Sequence, residues 1–311
     1  MLLLRCKGIR CSSTLFCNFS SSSPFEAEYL KPCEANYTQL SPLSFLRRAA
    51  KLYPDKVCYF LHDRPVLWAE ANTRILKFAS VLKQHYSLHP YDVVSMLCPN
   101  SHVSFELHFS VPGVHAILHS INTRLDDKSI AFQLQHANTK LLIIDDEYLH
   151  LGMKALSILP TKDRPKILRV QSEYALDDSH RKEGLPEYED ILPSGTHDFQ
   201  LRLPQHEFDA MTLNYTSGTT GNPKGVVTHH RGMYLNALVQ ALELNMTPFP
   251  RFLYIVPLFH CNAWCFPYTM AATGGTSFFL RHIRAQGLFD TISKSAISIA
   301  LTATLTLMML G

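Results

Sequence analysis

The run Lys140-Leu141-Leu142-Ile143-Ile144-Asp145 constrains the fold more than any other stretch of the chain. Four successive apolar residues without polar alternation leave no face for water, which is the pattern of a central parallel strand covered on both sides. Parallel strands need long crossover connections, and the flanking sequence supplies helical ones. Ser41-Pro42 offers an N-cap followed by a first-turn proline; Leu43, Leu46, Ala50 and Tyr53 then share a face, and Pro54 stops the helix. Ile75, Phe78, Ala79 and Leu82 repeat the helical period, and residues 92–97 read as a strand. A helix over residues 101–118 must bend or break at Pro112-Gly113. This alternation predicts an α/β chain of layered sheets flanked by helices.

Further along, residues 177–206 read as a polar surface excursion, 211–215 as a short strand and 231–244 as a helix. Residues 252–280 contain no Asp, Glu, Lys or Arg, and their length alone would allow a membrane span. Pro257, His260, Asn262, Pro267 and Gly274-Gly275 divide them instead into strand, turn, helix and strand. The uncharged tail, residues 295–311, is short for a span and rich in Thr and Ser, so no transmembrane anchor is expected. The 29 Lys+Arg against 26 Asp+Glu give a net charge of +3. Arg5, Lys7 and Arg10 all precede the first acid, Glu26, so the remainder is balanced and lacks the basic excess of a nucleic-acid binder.

Residues 1–25, acid-free and rich in Ser, Arg and Lys, have the composition of a transit peptide. They favour a mitochondrial address, with peroxisome, plastid and cytosol as alternatives. Cys58, Cys98, Cys261 and Cys265 stand among apolar neighbours, as free buried thiols do. Cys261 and Cys265 next to His260 have a loose zinc-like spacing, but no second ligand pair follows and His282 stands alone.

Chemistry concentrates in Tyr215-Thr216-Ser217-Gly218-Thr219-Thr220-Gly221-Asn222-Pro223-Lys224. Glycines let a backbone fold tightly around an anion, hydroxyls add donors and a lysine adds charge, so this reads as a phosphate-cradling loop between a strand and a helix. It lacks the Gly-Lys-Ser/Thr ending of a Walker A loop, and no G-x-G-x-x-G fingerprint occurs. On composition alone, a Ser/Thr/Gly-rich turn without a ligand is the competing reading. His260 alone reads as a core histidine, Trp264 as core, and His229-His230 as a helix start.

The segment from Thr216 to Gly225 closely resembles the signature of the AMP-forming acyl-CoA synthetases, within the adenylate-forming superfamily. Ser41-Pro42-Leu43, Ile121-Asn122-Thr123-Arg124-Leu125, His230-Arg231-Gly232 and Pro257-Leu258-Phe259-His260-Cys261-Asn262-Ala263-Trp264 resemble the plant-type acyl-activating enzymes. The resemblance runs over residues 28–294. It implies that residues 26–311 are an incomplete N-terminal AMP-binding (adenylation) domain. It also implies that Thr216, Ser217, Gly218, Thr219, Thr220, Gly221, Asn222, Pro223 and Lys224 hold the ATP phosphates and that Thr216 ligates Mg²⁺. By the same resemblance His260 is the catalytic residue beside the adenylate, and His260 and Trp264 form the acid pocket. The implied reaction joins a short, medium or aromatic carboxylic acid to coenzyme A through an acyl-adenylate. The family's later segments and its C-terminal catalytic-lysine domain do not occur in the 311 residues. A truncated ligase is therefore expected, the alternative being a catalytically dead binding or dimerising remnant that partners a full-length relative.

Overall fold

The computed structural model describes residues 31–61, 63–172, 174, 184–216 and 223–301. The chain divides into two units, residues 1–38 and 39–311. In the first, residues 33–37 form a turn in which the Cys33 N–H donates to Asn36 Oδ1 at 2.8 Å and the Tyr37 N–H to the Cys33 carbonyl at 2.9 Å. The transit-peptide expectation over residues 1–25 lies outside the described residues.

The second unit begins with α1 (Leu43–Leu52), β1 (Val57–Leu61), β2 (Arg64–Leu67) and α2 (Trp68–Gln84). It continues through β3 (Val93–Leu97), α3 (His102–Ser110), β4 (Ile117–Ser120), α4 (Asp127–His136), β5 (Thr139–Asp145), α5 (Leu149–Ile158), β6 (Lys166–Val170) and α6 (Tyr188–Ile191). There follow β7 (Ala210–Thr216), β8 (Lys224–His229), α7 (His230–Glu243), β9 (Arg251–Tyr254), α8 (Cys261–Trp264), α9 (Phe266–Thr273), β10 (Thr276–Phe279), α10 (Ala285–Ser295) and β11 (Ile299–Leu301). One sheet has the order β6-β5-β3-β4-β7-β8, parallel except for the β7–β8 pair; the other has β11-β9-β10-β1-β2, parallel except for β1–β2.

The apolar run of β5 is explained by burial on both faces. Leu141 and Ile143 enter one core cluster with α2 and α3, while Leu142 and Ile144 enter another with α4 and α5. Helix α3 is buried all round: Val103 and Leu107 face the six-stranded sheet's core, and Phe105 and Phe109 pack with α1, β1 and α9. It carries Glu106, which is fully buried and accepts from Arg74 Nε at 2.6 Å, from the Tyr188 hydroxyl at 2.6 Å and from the Tyr59 hydroxyl. A buried carboxylate is tolerable only when paired and hydrogen-bonded in this way.

Three expectations are corrected. The helix expected over residues 101–118 does break at Pro112-Gly113, but it does not resume: α3 ends at Ser110, Pro112–Val114 makes a 3₁₀ turn, His115 takes φ 63°, and residues 117–120 are strand β4. The phosphate loop does not lead straight into a helix, because Lys224–His229 first forms β8, antiparallel to β7. Valine at 226 and 227 favours extended backbone, and each has a partner on β7. The polar segment before β7 is not merely superficial, since Tyr188 is fully buried and packs against Phe78, with ring centroids 4.5 Å apart and planes tilted by 43°. Among the described residues no helix is long and apolar enough to cross a membrane; residues 302–311 of the expected uncharged tail lie outside them.

Candidate active site

In open parallel sheets, ligands bind beyond the carboxyl ends of the strands. Strand β7 ends at Thr216, and Lys224 at the start of β8 is its ladder partner, so the hydroxyl and the ammonium flank the loop from opposite strands. Ser217, Gly218, Thr219, Thr220, Gly221 and Asn222 lie outside the described residues. A cavity of about 630 Å³ opens beside this hairpin, lined by Thr216 and Pro223 together with His260, Cys261, Asn262 and Trp264. Tyr215, Met233, Phe259 and Cys265 add apolar and aromatic surface, and among the described residues the lining contains no Asp, Glu, Lys or Arg. Both Thr216 and Lys224 are exposed. His260 is exposed too and Trp264 is 51% exposed, so neither is the core residue that an isolated reading suggests.

What presents His260 and Trp264 is an unusual backbone. Cys261, Asn262, Ala263, Trp264 and Cys265 all have positive φ, between 45° and 72°, and none is glycine. Helix α8 is thus a single left-handed turn. Such geometry costs L-residues roughly 1–2 kcal/mol each, or about 5–10 kcal/mol over five. Tertiary contacts must offset that cost. The Ala263 N–H donates to the His260 carbonyl at 2.9 Å and the Cys265 N–H to the Asn262 carbonyl at 3.0 Å. Asn262, only 1% exposed, donates from Nδ2 to Thr212 Oγ1 and to Asn214 Oδ1, each at 2.8 Å. Asn214 in turn donates to the Phe259 carbonyl at 3.1 Å. Asn100 anchors the approach to the turn, accepting from the Leu258 N–H at 2.7 Å and donating to the Tyr254 carbonyl at 3.0 Å.

Behind the hairpin, the Tyr215 hydroxyl and His136 Nδ1 share a hydrogen bond at 2.6 Å, and the Tyr215 ring meets His119 edge-on. Burial lowers His119 to about 4, a hydrogen bond with Gln133 opposing it, so this ring is neutral near pH 7. Burial pushes the Cys265 thiol up to about 11, which leaves it a weak nucleophile. The zinc-like spacing gathers no site, for among the described residues no three His, Cys, Asp or Glu side chains converge to hold a metal. Asn214, Asn262 and the Tyr215–His136 pair were not anticipated from the sequence. The one signal for Asn262 is its residue type, since asparagine tolerates the left-handed region better than most.

The description "AMP-binding enzyme" matches residues 46–310. The chain belongs to that family. Among curated family relatives, the peroxisomal benzoate–CoA ligase of Arabidopsis thaliana is 38% identical over 268 residues, covering 84% of this chain and 46% of the relative. The peroxisomal acetate/butyrate–CoA ligase of the same plant is 35% identical, covering 84% of this chain and 47% of its own length. The chain spans about half the length of the curated relatives it matches. Of solved structures, the anthranilate CoA ligase bound to anthranoyl-AMP superposes with a TM-score of 0.76 at 21% identity, over 89% of this chain and 52% of that one. The N-terminal domain of FACL13 from Mycobacterium tuberculosis gives 0.75 at 22% identity, over 88% and 65%. These likenesses establish the AMP-binding N-terminal fold.

Proposed function

We propose that the chain carries the polyphosphate and acid sites of an AMP-forming acid–CoA ligase. The observation that carries the reading is the uncharged cavity beside the Thr216–Lys224 hairpin, walled by His260 and Trp264. In this reading the carboxylate attacks the α-phosphate of ATP, releasing diphosphate, and the thiol of coenzyme A then displaces AMP from the acyl-adenylate. Thr216, Lys224 and the intervening Ser217 to Pro223 hold the β- and γ-phosphates, using donors and charge rather than a nucleophile. His260 sits beside the reacting carboxylate and Trp264 shapes the tail's pocket. Mg²⁺ would neutralise phosphate charge next to the Thr216 hydroxyl; such an ion keeps waters and phosphate oxygens and needs no all-protein cage.

A cavity of about 630 Å³ suits a small apolar tail, and relatives named for acetate, butyrate and benzoate support short, medium or aromatic acids. Trp264 is half-exposed in the cavity while Trp68 is fully buried, so emission from Trp264 reports on occupancy. Titrating acetate, butyrate, octanoate, benzoate and cinnamate is expected to give a saturable change that Trp264→Phe abolishes. No change with any of them would sink the acid-pocket reading.

The alternative, a binding remnant that partners a full-length relative, is favoured by one observation. Leu235, Val239 and Leu242 form an exposed apolar stripe on α7. Co-purification with a full-length relative, lost in Leu242→Glu, tests it. The N-terminal composition supports a mitochondrial address, whereas the names of several relatives support a peroxisomal one. Colocalisation of the tagged chain with organelle markers decides between them.

A further inference from the structure

The left-handed turn of α8 sits between two parts of the site, and its fastening is specific. Asn262 is the second of the five positive-φ residues, and at the cavity wall its buried side chain ties the turn to β7. There it finds two acceptors on the same face of the strand, Thr212 Oγ1 and Asn214 Oδ1, each at 2.8 Å. Asn214 closes the loop by donating to the carbonyl of Phe259, the residue before His260. It therefore grips both the entry to the turn and its middle. Two residues beyond Asn214, β7 ends at Thr216, whose ladder partner is Lys224.

We infer that Asn262 is a positioning residue, which with Asn214 clamps the left-handed turn onto β7 and so holds His260 and Trp264 at the cavity wall in fixed relation to Thr216. A turn of five strained non-glycine residues has a right-handed alternative that each residue prefers. That alternative would carry His260 and Trp264 on different vectors. Few side chains can hold the left-handed form here. The group must tolerate positive φ, must be buried, and must donate two hydrogen bonds from one nitrogen; asparagine meets all three conditions. Ala263, 1% exposed and packed with Phe252 and Phe266, seats the turn by burial, but it cannot set the turn's rotation about that contact. The asparagine pair does. Because Asn214 lies on the strand that leads into the phosphate hairpin, displacement of the turn is transmitted to the hairpin and to the acid pocket together.

The inference rests on the acid-pocket reading only for its consequence, not for the clamp itself, and the test separates the two. Acrylamide quenching of Trp264 is measured in the full 311-residue chain, with fully buried Trp68 as a constant background and Trp264→Phe as the blank. Benzoate affinity is measured on the same samples, and circular dichroism and urea midpoints establish folding. Asn262→Gly removes the clamp while easing the positive φ; Asn214→Ala removes it from the strand side. In both variants, folded, the accessibility of Trp264 is expected to change by up to about twofold from its half-exposed value, and benzoate is expected to bind about tenfold more weakly. The double variant should be no worse than either single, because both break one clamp.

Asn262→Gly with the quenching of the wild-type chain would overturn the inference, even with a lower urea midpoint, since that is what a purely structural asparagine predicts. If the wild-type chain binds none of the acids, the pocket reading fails and quenching alone decides on the clamp. Should Asn214→Ala not fold, Thr212→Val, which removes the other acceptor and keeps the shape, takes its place with the same expected change.

Discussion

Three histidines buried inside the fold should set its acid limit. His108, His119 and His230 are 0%, 0% and 1% exposed. Burial lowers each to about 4 from an ordinary 6.5; a bond to the Ser104 carbonyl opposes this for His108 and one with Gln133 for His119, while His115 adds to it for His230. A lowered pKa on a base means that the unfolded chain binds more protons between about pH 4 and 6.5. Stability is therefore complete above pH 6.5 and falls as pH drops toward 4. At pH 5 each ring contributes about 2 kcal/mol of that loss, or about 6 kcal/mol for the three, comparable with the whole stability of an ordinary domain. Urea unfolding followed by circular dichroism at half-unit steps from pH 8 to 5 should show a plateau and then a steep decline. The slope approaches an uptake of about three protons on unfolding. In His108→Leu it should fall to about two. A flat profile between pH 6.5 and 5, or an unchanged slope in that variant, would refute the reasoning. Glu189 acts in a separate window. Burial would raise its carboxyl, but hydrogen bonds from His102 and Arg74 outweigh this and hold it at about 2, so its contribution is lost only below pH 4.5.

Other expectations follow from single sites. Glu106→Leu strands the Arg74 guanidinium and the buried hydroxyls of Tyr59 and Tyr188, and should cost about 3–5 kcal/mol in urea unfolding. Arg74 keeps Glu189 as a partner, so the lower half of that range is expected. Gly195→Ala places a Cβ 2.0 Å from the backbone carbonyl oxygen of Lys77 in α2, an atom that cannot swing aside, and should cost about 1–3 kcal/mol by the same assay. Lys224→Ala keeps the backbone pairing with Thr216 but removes the ammonium at the start of β8, and should weaken inorganic diphosphate binding about tenfold in calorimetry while leaving the stability from urea unfolding within about 0.5 kcal/mol.

Much of the fold is legible because burial on both faces writes a run of apolar residues, as in β5, and because caps are local. His229 does cap α7, its Nδ1 accepting from the Gly232 N–H at 3.0 Å. At α1 the expected Ser41 cap is displaced: the N-cap is Pro42, without a side-chain cap bond, and Ser41 Oγ accepts only from the Leu43 N–H at 3.3 Å. The β8 strand was not legible, since Lys224-Gly225-Val226-Val227 is too short to display a period and follows a proline. The burial of Glu106 was hidden for another reason: its cation stands 32 positions away on α2, and only the packing of α2 on α3 joins them. At the site, the hydroxyl-rich loop and the order of its motifs could be read directly. The left-handed turn could not, because Cys261-Asn262-Ala263-Trp264-Cys265 contains no glycine and its stability comes from acceptors on a distant strand.

The proposed ligase function requires this hairpin and this cavity together to activate a carboxylic acid. The measurement that tests it most directly is acid-dependent exchange of labelled diphosphate into ATP by the 311-residue chain, with acetate, butyrate, benzoate and cinnamate in turn. The account predicts exchange above the acid-free blank with at least one acid, reduced about a hundredfold or more in Lys224→Ala. Exchange that is absent with every acid, or that is indifferent to Lys224, would contradict it.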